Sequence, residues 1–181
     1  MTLPAGAGTY TLSVISRSDS NKVKVSVLED YYANAPYSIS TSFSVTAGAT
    51  TKAIGTLTAK ARKSESAKME GGAFNIYAQI YRANEYLRAE TGNSSFVAPK
   101  VSVYWKAGFN PYTYFGGTNP LSFYRPGVSQ LFILGGSNGN VQTADTDHFD
   151  NSVILHEYGH FLEDHFAFSD SPGGSHTGTS I

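Results

Sequence analysis

The sequence predicts an α+β fold: a β-sandwich-like module over residues 1–60, a linker over 61–72, and a mixed α and β segment over 73–181. Three observations predict it. Residues 9–58 alternate apolar and polar side chains at the period of half-buried strands, and residues 73–90 change to a helical period. Residues 153–164 then read VILHEYGHFLED, a second helix in which only one side is polar.

The strands come first. In KVKVSVL (22–28), Val23, Val25 and Val27 point one way and Lys22, Lys24 and Ser26 the other, and the polar link Arg17 to Asn21 turns this run back on TYTLSVI (9–15). YSISTSFSV (37–45) and TTKAIGTLTA (50–59) are expected to form a second hairpin across Thr46-Ala47-Gly48-Ala49. Sandwiches usually have about seven strands, so this module is expected to be incomplete. Its role is either that of a spacer presenting the rest of the chain or that of a surface binding carbohydrate or substrate.

From Ala59 to Gly72 the composition shifts to Lys, Arg, Ser, Glu and Gly, which marks the linker. In AFNIYAQIYRANEYLRAE (73–90), Tyr77, Ile80, Tyr81, Asn84 and Leu87 fall on one helical face with Phe74 beside it, and Gly92 is placed to end the helix. KVSVYWKAG (100–108) reads as a strand, residues 109–127 as an irregular Gly/Pro/Asn/Tyr-rich stretch, and QLFILGG (130–136) as a further strand. The polar loop SNGNVQTADTDHFD (137–150) leads into the last helix, with Asp150 or Asn151 as its N-cap.

That last helix carries the chemistry. His156 and His160 are four residues apart, which on a helix advancing about 100° per residue puts both imidazoles on one face within roughly 6 Å. Glu157 is rotated from that face by one residue, so its carboxylate can reach a water on a shared ion without ligating the ion. The H-E-x-x-H spacing is that of a zinc site with a base beside the bound water. The alternative is a helix with two satisfied core histidines. Against that, all five histidines of the chain fall between His148 and His176. The acidic residues Asp145, Asp147, Asp150, Glu157, Glu163, Asp164 and Asp170 follow the last basic residue, Arg125, and such a segment suits a divalent cation. Asp145, Asp147 and Asp150 also invite a calcium reading, but the glycine and terminal glutamate of a calcium loop are missing and helix capping is preferred.

Composition narrows the partners. A net charge of −1 and 15% charged residues give no electrostatic case for nucleic acid, and no apolar run approaches the roughly 18 residues of a membrane span. The absence of cysteine excludes disulfides and thiolate-bound zinc. Richness in Gly, Ser, Thr and Tyr leans towards a secreted or surface protein, although Met1-Thr2-Leu3-Pro4 does not open a signal peptide.

The order helix, strand, strand, H-E-x-x-H helix, with HEYGHFLED followed by SDSPGGSH, makes residues 73–176 resemble the N-terminal part of gluzincin-type zinc metallopeptidases of a bacterial, exported kind. The resemblance implies the upper half of a zincin domain, in which a mixed sheet backs the active-site helix and an edge strand aligns a peptide or protein substrate; QLFILGG is the candidate for that edge. Catalytic zinc takes three protein ligands, and His156 and His160 are two. His165 would point about 140° away on a continuing helix, and Asp164 lies in line with the pair, where three ligands in a row cannot close a tetrahedron. Asp170 and His176 are weaker candidates for the third ligand, since a gluzincin takes a glutamate from a later helix and none follows Glu163. The expected protein is therefore a zinc metallopeptidase present as an incomplete fragment, with Glu157 as general base. The rival is a non-catalytic surface binding or structural protein with a degenerate zincin domain.

Overall fold

The computed structural model describes residues 6–49 and 51–167. In chain order these form strands β1 (Gly8–Ile15), β2 (Arg17–Asp19), β3 (Lys24–Leu28) and β4 (Ser38–Val45), helix α1 (Glu70–Thr91), and strand β5 (Val101–Trp105). A 3-10 turn (Pro111–Phe115), strands β6 (Phe123–Arg125) and β7 (Gln130–Ile133), and helix α2 (Asn151–Phe166) follow. The fold is α+β, as expected.

The sheet that positions the site has the order β2-β3-β5-β7-β6. Its three inner strands are parallel, and β2 and β6 run antiparallel at the two edges. Register puts Val27, Val103, Leu131 and Tyr124 in one row across the sheet, and Leu28, Tyr104, Phe132 and Phe123 in the row on the opposite face. Both helices pack on the first face. There Val25, Val27, Val103, Trp105, Leu131 and Ile133 meet Ile76 and Ile80 of α1 and Ile154, Tyr158 and Phe161 of α2 in one buried cluster. The opposite face carries an aromatic ladder, with the rings of Tyr104, Phe132 and Phe123 stacked at 5.0 and 4.8 Å.

The strands expected to form a separate sandwich-like module divide instead. β2 and β3 belong to the main sheet, and β1 pairs along its length with β4 in a two-stranded ribbon. Ser16 is the point of division. Its buried hydroxyl donates to the Val27 carbonyl at 2.7 Å and accepts from the Tyr37 amide at 2.9 Å, so the chain leaves one ribbon and enters the other sheet there. Residues 51–61 hold no strand, and Gly55, with φ of 75°, turns the chain out of the extended conformation that the alternation in 50–59 suggested.

The expected linker 61–72 also gives up its last residues to α1. Gly71 and Gly72 read as a breaker but lie in the first turn, where a Cβ on Gly72 would sit 2.8 Å from the Trp105 ring and 2.9 Å from the His148 ring. Glycine there permits close packing of helix on sheet. The buried face of α1 runs through Ala73, Ile76, Ile80 and Asn84, rotated from the predicted tyrosine-lined face; Tyr81 is exposed. Tyrosines at the helix margin keep their hydroxyls in water, and the smaller aliphatic residues fit against the sheet. Gly92 ends the helix as predicted, in the left-handed conformation at φ 64°.

QLFILGG is not an edge strand. β7 lies between β5 and β6 with Leu131, Phe132 and Ile133 all fully buried, and a strand covered on both faces reads as a continuous apolar run. The edge next to it is β6, three residues inside the stretch expected to be irregular, with Pro126 directly after.

Candidate metal centre

The site is built on α2. Asp150 caps it, its Oδ1 accepting from the amides of Ser152 at 2.9 Å and Val153 at 3.2 Å. Ile154, Tyr158 and Phe161 turn to the sheet, which leaves His156 exposed and His160 half-buried on another side. One buried polar tie sets the helix against α1: Asn84 donates to the Tyr158 hydroxyl at 2.8 Å and to its own Ile80 carbonyl, and its Oδ1 accepts from the Ala98 amide. Burial raises the Tyr158 phenol to about 12, so this hydroxyl remains protonated at any physiological pH.

His156 and His160 come together as their spacing predicts. Their Nε2 atoms are 3.1 Å apart, with ring planes at 85°. Two nitrogens each about 2.0–2.1 Å from a tetrahedral zinc lie about 3.3 Å from one another, so the pair needs a shift of a few tenths of an ångström to share an ion. The Nδ1 of His160 faces Glu163 Oε2 at 3.7 Å. A carboxylate behind a ligating imidazole orients the ring and raises its basicity. Glu157, one residue from the pair, is only 8% exposed.

The other candidates are placed elsewhere. Asp164 Oδ2 accepts from the Tyr124 hydroxyl at 2.6 Å and the Gly127 amide at 3.2 Å, and these bonds hold its carboxyl below the usual range. His165 stands with Nδ1 2.9 Å from the Phe161 carbonyl and Nε2 3.1 Å from Ser129 Oγ. Asp147 accepts from the Ser122 hydroxyl at 2.6 Å, and burial raises its carboxyl. With Asp150 engaged as the helix cap, the aspartates of this loop do not converge on a calcium site. Among the described residues no group of three His, Cys, Asp or Glu side chains could hold a metal ion. Asp170 and His176 lie outside the described residues. Comparison with protein-family models, with curated proteins and with solved structures returns no match to this chain.

Sequence reasoning passed over two residues near this helix. Tyr124 belongs to a strand too short to show a period, and its ring packs edge-on to Phe161 at 6.1 Å. His148 is 3% exposed, with its ring 4.9 Å from that of Trp105 and its Nδ1 without a hydrogen-bond partner among the described residues. Burial lowers its pKa from 6.5 to about 4. The unfolded chain therefore binds a proton that the folded chain refuses between those pH values, and stability is complete above about pH 6.5 and lost as pH falls towards 4. The loss reaches about 3 kcal/mol. We expect denaturant unfolding at pH 7 and 4.5 to show a fall in stability that is smaller by about 2–3 kcal/mol in His148→Gln; parallel pH profiles for the two proteins would exclude the effect.

Among the described residues no helix is long and apolar enough to cross a membrane.

Proposed function

We propose that this chain carries the metal-binding helix of a zinc-dependent metallopeptidase of the gluzincin type, an exported enzyme whose substrate is a peptide or protein. The observation that supports it best is the 3.1 Å separation of His156 Nε2 and His160 Nε2 on one helix with Glu157 between them in sequence. Neutral imidazoles at this separation suit a small tetrahedral cation, and with no cysteine in the chain the donor set is nitrogen and oxygen. In this reading the main sheet and its two helices are the upper half of a zincin domain. The third ligand comes from outside the described residues, as Asp170, His176 or a glutamate of a later helix.

A zinc ion held there would supply Lewis acidity, polarising a scissile carbonyl and lowering the pKa of water towards neutrality. His156 and His160 would hold that ion through their imidazoles. The Glu157 carboxylate takes the proton of the attacking water and delivers it to the leaving amine nitrogen, acting first as base and then as acid. Its low exposure keeps that proton from bulk solvent. Among the described residues no strand pairs with the outer edge of β6, which runs antiparallel to β7 and can take an extended peptide by strand addition.

The direct test is hydrolysis of a mixed fluorogenic peptide library by the full-length protein. Expected is turnover that disappears with a zinc chelator and returns on adding zinc. Full zinc occupancy with no cleavage of any peptide would favour the non-catalytic surface protein.

A further inference from the structure

We propose that Asp164 is a positioning residue: it clamps the edge strand β6 to the helix face that presents His156 and His160, and so sets where an extended peptide on β6 meets the metal pair. This rests on the peptidase reading above.

The clamp is made by two consecutive residues at the end of α2 and three residues of the β6–β7 hairpin. Asp164 Oδ2 accepts from Tyr124 Oη at 2.6 Å and from the Gly127 amide at 3.2 Å. His165 adds the third attachment, through Nε2 to Ser129 Oγ at 3.1 Å. The Phe161 carbonyl, 2.9 Å from His165 Nδ1, can only accept, so Nδ1 carries the proton and Nε2 accepts from the serine hydroxyl. The hairpin turn passes through left-handed conformations at Gly127 (φ 75°) and Ser129 (φ 51°), the second of which a residue with a Cβ adopts at a cost. A turn held in that shape, tied at both left-handed residues, is fixed to the helix rather than resting on it.

Its place relative to the site follows from helix geometry. Asp164 is four residues beyond His160 and eight beyond His156, on the same side and about 6 Å along the axis from His160. Tyr124 lies in the helix-facing row of the sheet, so its hydroxyl bridges the outermost strand and the histidine face directly. Among the described residues β6 has no strand on its outer edge. Both bonds of this carboxylate fall on Oδ2 and are directed at the hairpin, which it holds. Because Asp164 is exposed, its removal leaves the buried core of the helix untouched.

The experiment compares wild-type full-length protein with Asp164→Ala, Asp164→Asn and Tyr124→Phe. Peptide kinetics, zinc content and amide hydrogen exchange are measured on each. For Asp164→Ala and Tyr124→Phe we expect KM to rise about tenfold with kcat within about threefold of wild type and zinc content unchanged. Asparagine, which keeps an acceptor oxygen, should restore KM most of the way. The Gly127 amide should exchange at least about tenfold faster in Asp164→Ala, with Ile154 and Tyr158 amides unaffected. A fall in kcat at constant KM would overturn the positioning role in favour of one in the chemical step. Unchanged exchange at Gly127 would overturn the clamp itself. A wild-type protein that binds zinc and cleaves nothing would overturn the peptidase reading, and the substrate-positioning role with it, whereas the exchange data would still decide the clamp.

Discussion

Under the proposed function, Glu157→Gln is expected to lower peptide hydrolysis by the full-length protein about 10²–10⁴-fold, the range removed with a general acid–base group, and to leave zinc content at the wild-type level. Glutamine has the shape of glutamate and keeps an acceptor oxygen, so a site that leaves this residue only 8% exposed accepts it without repacking. What it lacks is a proton affinity in the useful range: an amide oxygen does not take a proton from water near pH 7. The His156–His160 pair is on the neighbouring face and is not altered, so metal content and turnover are expected to separate. Parallel measurement of both by metal analysis and a fluorogenic peptide checks this. Normal turnover by the Gln variant would remove Glu157 from the mechanism, and joint loss of zinc and activity would make it a ligand or a support for the ligands.

If the pair shares a zinc ion as proposed, His156→Ala and His160→Ala are each expected to lower zinc affinity by about 10²-fold. Structural zinc sites with four ligands bind with about 10–16 kcal/mol, on the order of 3 kcal/mol for each ligand, which corresponds to that factor. The two substitutions are expected to differ in their effect on the fold. His156 is exposed, so its replacement changes stability by no more than about 0.5 kcal/mol. His160 is half-buried and faces Glu163, so its replacement also leaves that carboxylate with one contact fewer. Competition with a coloured chelator gives the affinities, and thermal unfolding in the absence of metal gives the stability. Equal zinc affinity in wild type and His156→Ala would show that the two imidazoles do not share an ion, whatever their separation.

The course of the candidate-site helix is legible in the sequence. A cap at Asp150 or Asn151, the apolar side and the histidine spacing are local features, and a helix realises such spacing wherever it packs; the structure picks Asp150 as the cap. The same holds for Gly92 at the end of α1. The exclusion of Asp164 as a third ligand also came from helix geometry alone, and the structure adds what that residue does instead. Strand pairing was less legible. An alternating run states which face is buried but not which strand lies beside it, so the sequence pairs β1 with the next strand, whereas its partner is β4. The resemblance makes QLFILGG an edge strand, whereas its pairing with β5 and β6 makes it an inner one.

Tyr124, Gly127 and Ser129 could not be connected to Asp164 and His165 from sequence, because the contacts span some 36 to 40 residues and have no periodic signal. Local chemistry was written in the chain: the α+β class, the course of α2, and the imidazole pair with its neighbouring carboxylate. The order of the main sheet, the strand that forms its edge beside the histidines, and the burial of His148 against Trp105 came from packing. The physical reason is that a helix satisfies its own backbone hydrogen bonds within a few residues, whereas a strand must find its partner elsewhere in the chain, and the shape of the core decides which partner that is.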